Sequence, residues 1–323
     1  MRWMLFPAGI LTLLVTIVDL FATVARPGRQ GGFLATRLVD GMWRLALRLH
    51  RTWPSHRRLA ASGVACVVAV PVFWMTALWL GWSLVFTSSQ HAVVDARTGE
   101  PAGTTARAYF AGYSLFTSGL GDKLPGGGTW EIATVLATAM GLGLVTLAIT
   151  YLVPVVQAAT SRRSFARQIT RLGSTPDGIV ERCWRPPEIT ILADEAATLL
   201  PRLATLTEQH LTYPVLHYLH SVEVATAFAP RVAAIHDAML IASDQGADDT
   251  ARLRFGLVCA AVGELTDTFP VDGESTDVPD APGPHTSRTG ADRADADSSR
   301  RSRLHQLVHR DGWDWSAVTD PHA

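Results

Sequence analysis

Long apolar runs alternate with arginine-rich segments through the first half of the chain. The first run covers about residues 4–25 with Asp19 as its one charge, the second covers 59–86, and the third is uncharged over 132–161. A helix needs about 20 apolar residues to cross the hydrocarbon core of a bilayer. Uncharged runs of this length are far more typical of membrane helices than of buried core helices. The pattern therefore predicts an all-α membrane protein with three transmembrane helices.

The arginines predict how these helices are oriented. Eight follow the first run, namely Arg26, Arg29, Arg37, Arg44, Arg48, Arg51, Arg57 and Arg58, and four follow the third, namely Arg162, Arg163, Arg167 and Arg171. The segment between the second and third runs has Arg97, Arg107 and Lys123. By the positive-inside rule, 26–58 and the chain after 160 are cytoplasmic, whereas 87–129 and the N-terminus lie outside. A cleaved signal peptide is the alternative for the first run, but its apolar stretch is longer than is typical of one.

Residues 33–53 have a helical pattern of their own. Apolar side chains recur every three or four residues, at Leu34, Leu38, Met42, Leu45, Leu49 and Trp53. A parallel stripe of basic side chains consists of Arg37, Arg44, Arg48 and Arg51. Such a basic amphipathic helix suits the inner membrane surface, and a simple cytoplasmic connector is the alternative. Asp19, the one charge in the first run, is predicted to pair with a basic group near the interface.

The segment 108–125, between the second and third runs, is the strongest candidate for function. It is apolar but too short to cross a bilayer, and it contains a Gly-Leu-Gly turn at 119–121. A short helix followed by an extended glycine stretch predicts a re-entrant loop, which is tolerated at membrane depth only where protein or water surrounds it. Gly119 and Gly121 allow backbone angles closed to other residues, so that successive carbonyls can face one axis and replace the water around a cation.

A closed ring of such carbonyls requires more than one chain. One chain supplies one strand of the lining, and the Thr117 hydroxyl extends that strand at its inner end. Four copies make the most natural ring, which predicts a homotetramer. The preceding helix would aim the negative end of its dipole at the axis, which favours cations.

The loop resembles a known signature. Its residues Thr117-Ser118-Gly119-Leu120-Gly121-Asp122 are similar to the potassium-channel sequence Thr-Val-Gly-Tyr-Gly-Asp at the Thr, both Gly and the Asp. The Gly-Leu-Gly-Asp version especially resembles the second pore loop of two-pore-domain potassium channels, and Pro125 is in the family's usual place. The resemblance covers roughly residues 59–158. It implies an ion-selectivity filter lined by Thr117, Ser118, Gly119, Leu120 and Gly121, with Asp122 at its outer mouth.

The flanking segments extend the resemblance. Tyr109 and Phe110 stand where simple bacterial channels carry an aromatic pair, which implies a pore helix that also includes Tyr113. The third run contains 143–146, Gly-Leu-Val-Thr, which is similar to the inner helix of those channels. Near its inner end, 154–156 resembles the Pro-Val-Pro bend of voltage-gated channels.

Small residues and a proline in the third run suggest two roles. Gly141, Gly143 and Pro154 are candidate hinge or gate residues, since glycine and proline loosen a helix. Alternatively, Ala133, Ala137 and Gly141, spaced by four, simply let helices approach closely.

Two positions depart from the signature. Leu120 replaces the filter Tyr, so the hydroxyl that ties the filter to the pore helix is missing, and Ser118 replaces Val. The carbonyl ring is backbone and survives both changes. Potassium preference is therefore expected, with a non-selective cation channel as the alternative. Lys123 would place four positive charges around the outer mouth of a tetramer, unless Asp122 neutralises them in part.

The composition of the chain and the absence of certain motifs limit the partners, cofactors and activities that are expected. A net charge of -1 excludes a basic nucleic-acid binder, which leaves K⁺, membrane lipid and further copies of the chain as partners. No nucleotide-binding glycine loop, Walker A motif or EF-hand loop is present, so no cofactor is expected. No catalytic constellation is present, so enzymatic activity is not expected. His217 and His220 lack further ligands at suitable spacing, so no metal is expected beyond K⁺ in the filter.

The second half predicts a helical cytoplasmic domain. One apolar stripe consists of Leu192, Ala196, Leu199, Leu203, Leu206 and His210, and it favours a core helix over a short coiled coil between subunits. Further helical stretches are predicted at about 214–243 and 248–266. From 270 to 303 the chain is rich in Pro, Gly, Ser, Thr, Asp and Arg, which predicts a disordered linker. The stretch 304–318 is either a short terminal helix or unstructured.

The patterns divide the chain into four parts. Residues 1–58 hold the first transmembrane helix and the amphipathic helix, 59–160 the pore domain, 161–269 the cytoplasmic domain and 270–323 the tail. The predicted function is the pore-forming subunit of a tetrameric potassium-selective channel in a bacterial plasma membrane. A membrane-anchored sensor or scaffold with a degenerate pore loop is the alternative from another class of protein.

Overall fold

The computed structural model describes residues 2–25, 32–269 and 291–320, and this part of the chain is mostly helical. The helices are α1 (Leu5–Ala25), α2 (Phe33–Thr52), α3 (His56–Thr87), α4 (Thr104–Leu115), α5 (Thr129–Leu172), α6 (Pro176–Cys183), α7 (Ile191–Thr212), α8 (Phe228–Asp244), α9 (Asp249–Asp267), α10 (Ala291–Arg310) and α11 (Ser316–Thr319). Two short strands, β1 (Val93–Asp95) and β2 (Lys123–Pro125), pair antiparallel, with Val94 opposite Leu124. These strands were not predicted.

Helices α1, α3 and α5 are long and apolar enough to cross a membrane, which confirms the prediction of three such helices. Large apolar side chains on their surfaces are more than half exposed, including Leu11, Val18, Val68, Val135 and Ile149. Apolar surface of this extent is unfavourable in water and fits contact with lipid.

Two compact units make up the structure: one comprises Met1–Gly41 and Ala65–Pro154, and the other Met42–Val64 and Val155–Ala323. The predicted domain boundaries at 58 and 160 both fall inside the second unit rather than between the two units. Within the second unit, Trp43 lies edge-on to Tyr218 with 5.9 Å between ring centroids.

In the first unit, Asp19 caps the start of α2. Its carboxylate accepts hydrogen bonds from the backbone N–H groups of Leu34 at 2.7 Å and Ala35 at 3.2 Å, and from the Trp74 indole at 2.9 Å. The first N–H groups of a helix have no partner inside it, and a carboxylate there also meets the positive end of the helix dipole. Among the described residues, backbone N–H groups and an indole bind this carboxylate. The nearby Arg26 and Arg29 lie outside the described residues, so the predicted pairing of Asp19 with a basic group stays a prediction.

Helix α2 forms over nearly the predicted range but buries a different face. Ala35, Val39 and Trp43 are the buried positions. Two members of the predicted apolar stripe, Leu45 and Leu49, are 57% and 50% exposed. The helix therefore keeps an apolar surface, flanked by arginines, in addition to the face it uses in the fold.

The second unit is a helical bundle around α8. Small alanines let α6, α9, α10 and α11 pack against it, so that most of its side chains are buried. The predicted stripe on α7 is also buried, from Leu192 to His210. The stripe faces this core, so the coiled-coil alternative is wrong.

Two predictions for the second half of the chain need correction. The stretch 214–243 is not one helix: it begins with 3₁₀ turns at Pro214–Tyr218 and Val224–Thr226, and α8 starts only at Phe228. The predicted linker 270–303 is helical from 291 onward, while 270–290 lies outside the described residues.

Tertiary contacts explain the helix in the tail. Arg301 pairs with Asp237 of α8 at 3.2 Å, and both side chains are buried. Leu304 and Val308 enter the core one turn apart. A helix of polar composition is thus stabilised by a buried ion pair and a few apolar contacts.

Candidate functional site

Helix α4 begins the candidate pore loop. Its 12 residues reach about 18 Å, well short of the roughly 30 Å of a hydrocarbon core. The helix ends before Phe116, and irregular backbone follows as far as β2. The predicted pore-helix residues Tyr109, Phe110 and Tyr113 all lie on α4, and Tyr113 is edge-on to both of the others.

Contacts between side chains fix α4 against α3. Phe110 is buried and lies edge-on to Phe86, with 5.0 Å between ring centroids. Trp79 donates its indole N–H to the carbonyl of Ala108 at 2.9 Å. An aromatic pair and a hydrogen bond from α3 therefore position α4. Of the residues that make these two contacts, the sequence had indicated only Phe110.

The six predicted filter residues, 117–122, form an exposed run directly after α4. Every second residue has a positive φ: 56° at Thr117, 57° at Gly119 and 77° at Gly121. Glycine adopts these angles without a steric penalty. Thr117 does not, and its conformation costs on the order of 1 kcal/mol, a kind of strain that clusters at functional sites.

Hydrogen bonds hold both ends of this run. Ser118 donates its backbone N–H to the carbonyl of Tyr113 at 2.8 Å, and the carbonyl of Asp122 accepts from the N–H of Ala96 at 3.1 Å. The Tyr113 hydroxyl donates to the carbonyl of Lys123. Tyr113 therefore connects α4 to Ser118, near the start of the run, and to Lys123, just after its end. Its position in the sequence did not reveal this role.

Lys123 is tied to the strand pair. Its ammonium lies 2.9 Å from the carboxylate of Asp95 and 3.5 Å from that of Asp122. The hydrogen bond from Lys123 lowers the pKa of Asp95 to about 2, and the same bond raises the pKa of Lys123. The positive charge that Lys123 was expected to place around the outer mouth is thus offset, largely by Asp95. Asp95 lies 28 positions earlier in the sequence, so local spacing did not indicate this ion pair.

Helix α5 packs against the end of α4, the helix that begins the candidate pore loop. Gly141 is buried, and a Cβ atom there would lie 1.8 Å from the carbonyl oxygen of Leu115, the last residue of α4. Gly143 is exposed, and a Cβ atom there would meet no described atom within 4 Å. Pro154 lies inside α5, which continues as a helix through this position. The three candidate hinge residues therefore have different surroundings, and Gly141 alone contacts the pore loop.

His217 and His220, which lie three apart in the sequence, have different partners. His210 and His217 stack at 5.5 Å between ring centroids, whereas His220 bonds to His56 at 2.9 Å. Within the described residues, no three His, Cys, Asp or Glu side chains lie close enough to hold a metal ion.

No model of a known protein family matches the chain, and no solved structure matches it. The uncharacterized membrane protein YdjJ of Bacillus subtilis is 30% identical over 234 residues, which are 72% of this chain and 68% of YdjJ. Together with the three apolar helices, this similarity assigns the chain to the membrane. The similarity extends over more than two thirds of both proteins, and the chain belongs to the family of the membrane protein YdjJ.

Proposed function

We propose that the chain is the pore-forming subunit of a homotetrameric potassium-selective channel in the bacterial plasma membrane. The observation that carries this proposal is the run 117–122. It is exposed, it follows a helix too short to span a membrane, and its φ is positive at every second residue.

The alternating φ values suit a carbonyl-lined path. In an ordinary β-strand, successive carbonyls point in opposite directions. Alternating left- and right-handed residues can turn successive carbonyls to one side, which is what a cation needs when it gives up its water. The two glycines make this backbone accessible, and Thr117 supplies a hydroxyl at the end next to α4.

The exposure of the run supports assembly from several copies. All six residues are exposed in one chain, although the preceding helix is well packed. A ring of four such runs would enclose a narrow axis, with the negative ends of four α4 dipoles directed toward it. K⁺ is the permeant ion of this proposal, which requires no cofactor and no catalytic step.

The membrane orientation in this proposal follows from the arginines. The strand pair and the filter would face outward, and the second unit with Arg163, Arg167 and Arg171 would be cytoplasmic. The N-terminus would then lie outside. A filter that opens outward and an inner helix that ends in the cytoplasm are both consistent with this arrangement.

Leu120 is the observation that favours a second candidate, a non-selective cation channel. Its side chain is 60% exposed and provides no hydroxyl to brace the filter. The bond from Tyr113 to the Lys123 carbonyl provides a different brace, one residue beyond Asp122. We therefore favour potassium selectivity, and the ratio of potassium to sodium permeability distinguishes the two candidates.

A flux assay on purified protein in liposomes tests the proposal. Potassium efflux is compared with sodium efflux, and Gly119→Ala is expected to abolish selective flux without preventing membrane insertion. Gly99→Ala is the matched control: Gly99 has a similar φ of 71° and equally open surroundings, but it lies in the turn after β1. The control therefore carries the same backbone strain outside the filter.

Three outcomes would decide the matter. Potassium-selective flux that is lost in Gly119→Ala and retained in Gly99→Ala supports the proposal. Equal flux of both ions with the same mutant pattern supports the non-selective channel. Flux that survives Gly119→Ala with unaltered selectivity contradicts the filter assignment.

A further inference from the structure

A cavity lined by three histidines and one arginine lies in the second unit where α2 ends and α3 begins. Its volume is about 540 Å³, and the C-terminal segment 309–317 forms its other side. The chemically distinctive lining residues are His50, Arg51, His56, His309, Trp313 and Asp314. None of them has a role in the proposed conduction of ions.

The lining provides hydrogen-bond donors from Arg51, His50 and His309, whereas His56 donates to His220 and burial lowers the pKa of His56. Three imidazoles and one guanidinium converge there, and among the lining residues that the structure describes, Asp314 is the one carboxylate. Asp314 lies 3.9 Å from His309, so it offsets part of the positive charge. His50 accepts the backbone N–H of Ser55 at its Nδ1, which leaves Nε2 to carry the proton as a donor.

The cavity wall is rigidly built. His56 stacks on Trp313 with 4.0 Å between ring centroids and an angle of 13°. His220 lies 2.6 Å from the carbonyl of Asp311 through Nδ1 and 2.9 Å from His56 through Nε2. Because Nδ1 of His220 must donate to that carbonyl, Nε2 of the neutral ring accepts from His56. This chain of contacts holds His56 and Trp313 in place before any ligand arrives.

The position of the cavity indicates where its ligand is found. His56 is the first residue of α3, a helix that is apolar enough to span a membrane. On the adjoining α2, Leu45 and Leu49 are at least half exposed, and Trp53 just beyond its end is 67% exposed. Exposed tryptophan and leucine beside arginines are typical of helices at the headgroup level of a bilayer.

We propose that this cavity binds a phosphate ester, and that its position favours the headgroup phosphate of an anionic phospholipid as the source. Arg51 supplies a permanent charge, while His50 and His309 supply further donors around the phosphate oxygens. Trp313 and the exposed apolar side chains of α2 would contact the glycerol and the upper acyl chains.

Two exposed arginines on α2 provide a matched comparison. Arg51 lines the cavity, whereas Arg48, three residues earlier on the same helix, does not. Substitution of either by Gln removes one charge from an exposed position. Diffuse attraction to a negative surface would be weakened similarly by both substitutions, whereas a specific site depends on Arg51 alone.

The test measures binding to the full-length protein in mild detergent by isothermal titration calorimetry. The probes are short-chain phosphatidylglycerol, glycerol 3-phosphate and short-chain phosphatidylcholine. We expect phosphatidylglycerol to bind and phosphatidylcholine to bind much more weakly. Arg51→Gln should weaken the binding of phosphatidylglycerol about tenfold, and Arg48→Gln less than about twofold.

The outcomes separate the two sources of phosphate from failure of the proposal. Binding of phosphatidylglycerol without glycerol 3-phosphate identifies a lipid site, and comparable binding of both identifies a site for soluble phosphate esters. If neither phosphatidylglycerol nor glycerol 3-phosphate binds, or if the two variants lose binding equally, the proposal is overturned. The measurement does not involve ion flux, so its result is independent of the proposed channel function.

Discussion

His210 and His217 form a buried pair of titratable side chains in the second unit, outside the cavity. Their rings stack on each other, and Phe228 and Phe269 lie within 5.5 Å between ring centroids. Burial lowers the pKa of His210 to about 3 and that of His217 well below its ordinary value, because each ring would have to be charged without water. Both rings are therefore neutral in the folded protein at neutral pH.

The sign of the pH dependence follows from this depression. Above about pH 6.5 these histidines are neutral in both states and do not affect stability. Below that pH the unfolded chain takes up protons first, so the free energy of unfolding falls by about 1.4 kcal/mol per pH unit and histidine. Between about pH 6.5 and pH 5 His210 alone should cost about 2 kcal/mol, and His217 adds a loss of the same sign.

Substitution His217→Phe should reduce this acid sensitivity, because the ring is packed among aromatic side chains and phenylalanine has no proton to gain. The measurement is chemical unfolding of the full-length protein in detergent at several pH values between 5 and 7.5. The control is His91→Gln, since His91 is exposed. An unchanged pH slope in His217→Phe would show that other groups govern acid stability.

At the scale of elements, some structures were predictable because one local property determines them. A membrane helix requires only length and apolar composition, and α1, α3 and α5 follow from the uncharged runs. The end of α4 was likewise marked by glycines. The candidate filter residues 117–122 lie together simply because they are consecutive.

Other elements depend on contacts that spacing does not encode. Helix α10 is polar and is held by Arg301 on Asp237, 64 positions away in sequence. The β1–β2 pair depends on residues about 30 apart, and the buried face of α2 depends on which partner it meets. Amphipathic periodicity predicts that α2 has a preferred side but cannot decide between two competing apolar faces.

Gly141 connects two elements, and its substitution tests whether it serves packing or bending. A Cβ atom at 141 overlaps the Leu115 carbonyl, so Gly141→Ala must push α5 away from the end of α4. We expect a loss of about 1–3 kcal/mol in stability together with reduced flux. Gly143→Ala meets no described atom within 4 Å and should leave both nearly unchanged.

Thermal unfolding and flux of the two variants, measured side by side, distinguish the roles. A packing role predicts that Gly141→Ala is the more damaging substitution in both measurements. If Gly143→Ala instead alters flux while stability stays constant, α5 bends at Gly143 and the close approach at Gly141 is secondary.

At the scale of the whole molecule, the proposed function requires several chains to form one path for ions. The run 117–122 is exposed on a single subunit, and its neighbours in the same chain reach only its ends. A filter made of four identical runs would therefore be sensitive to a change in any one of them. An enzyme or scaffold that works as a monomer would lack this sensitivity.

Mixed assembly measures the number of subunits that share one path. If Gly119→Ala and unmodified chains are co-expressed in equal amounts and assemble at random, about one sixteenth of tetramers contain four unmodified filters. Flux per unmodified chain should then fall to roughly one eighth, because half of the chains are unmodified. The experiment is valid only if two differently tagged chains copurify, which shows that mixed complexes form. Unchanged flux per unmodified chain in such mixed complexes would mean that each subunit conducts separately, which a shared carbonyl ring does not permit.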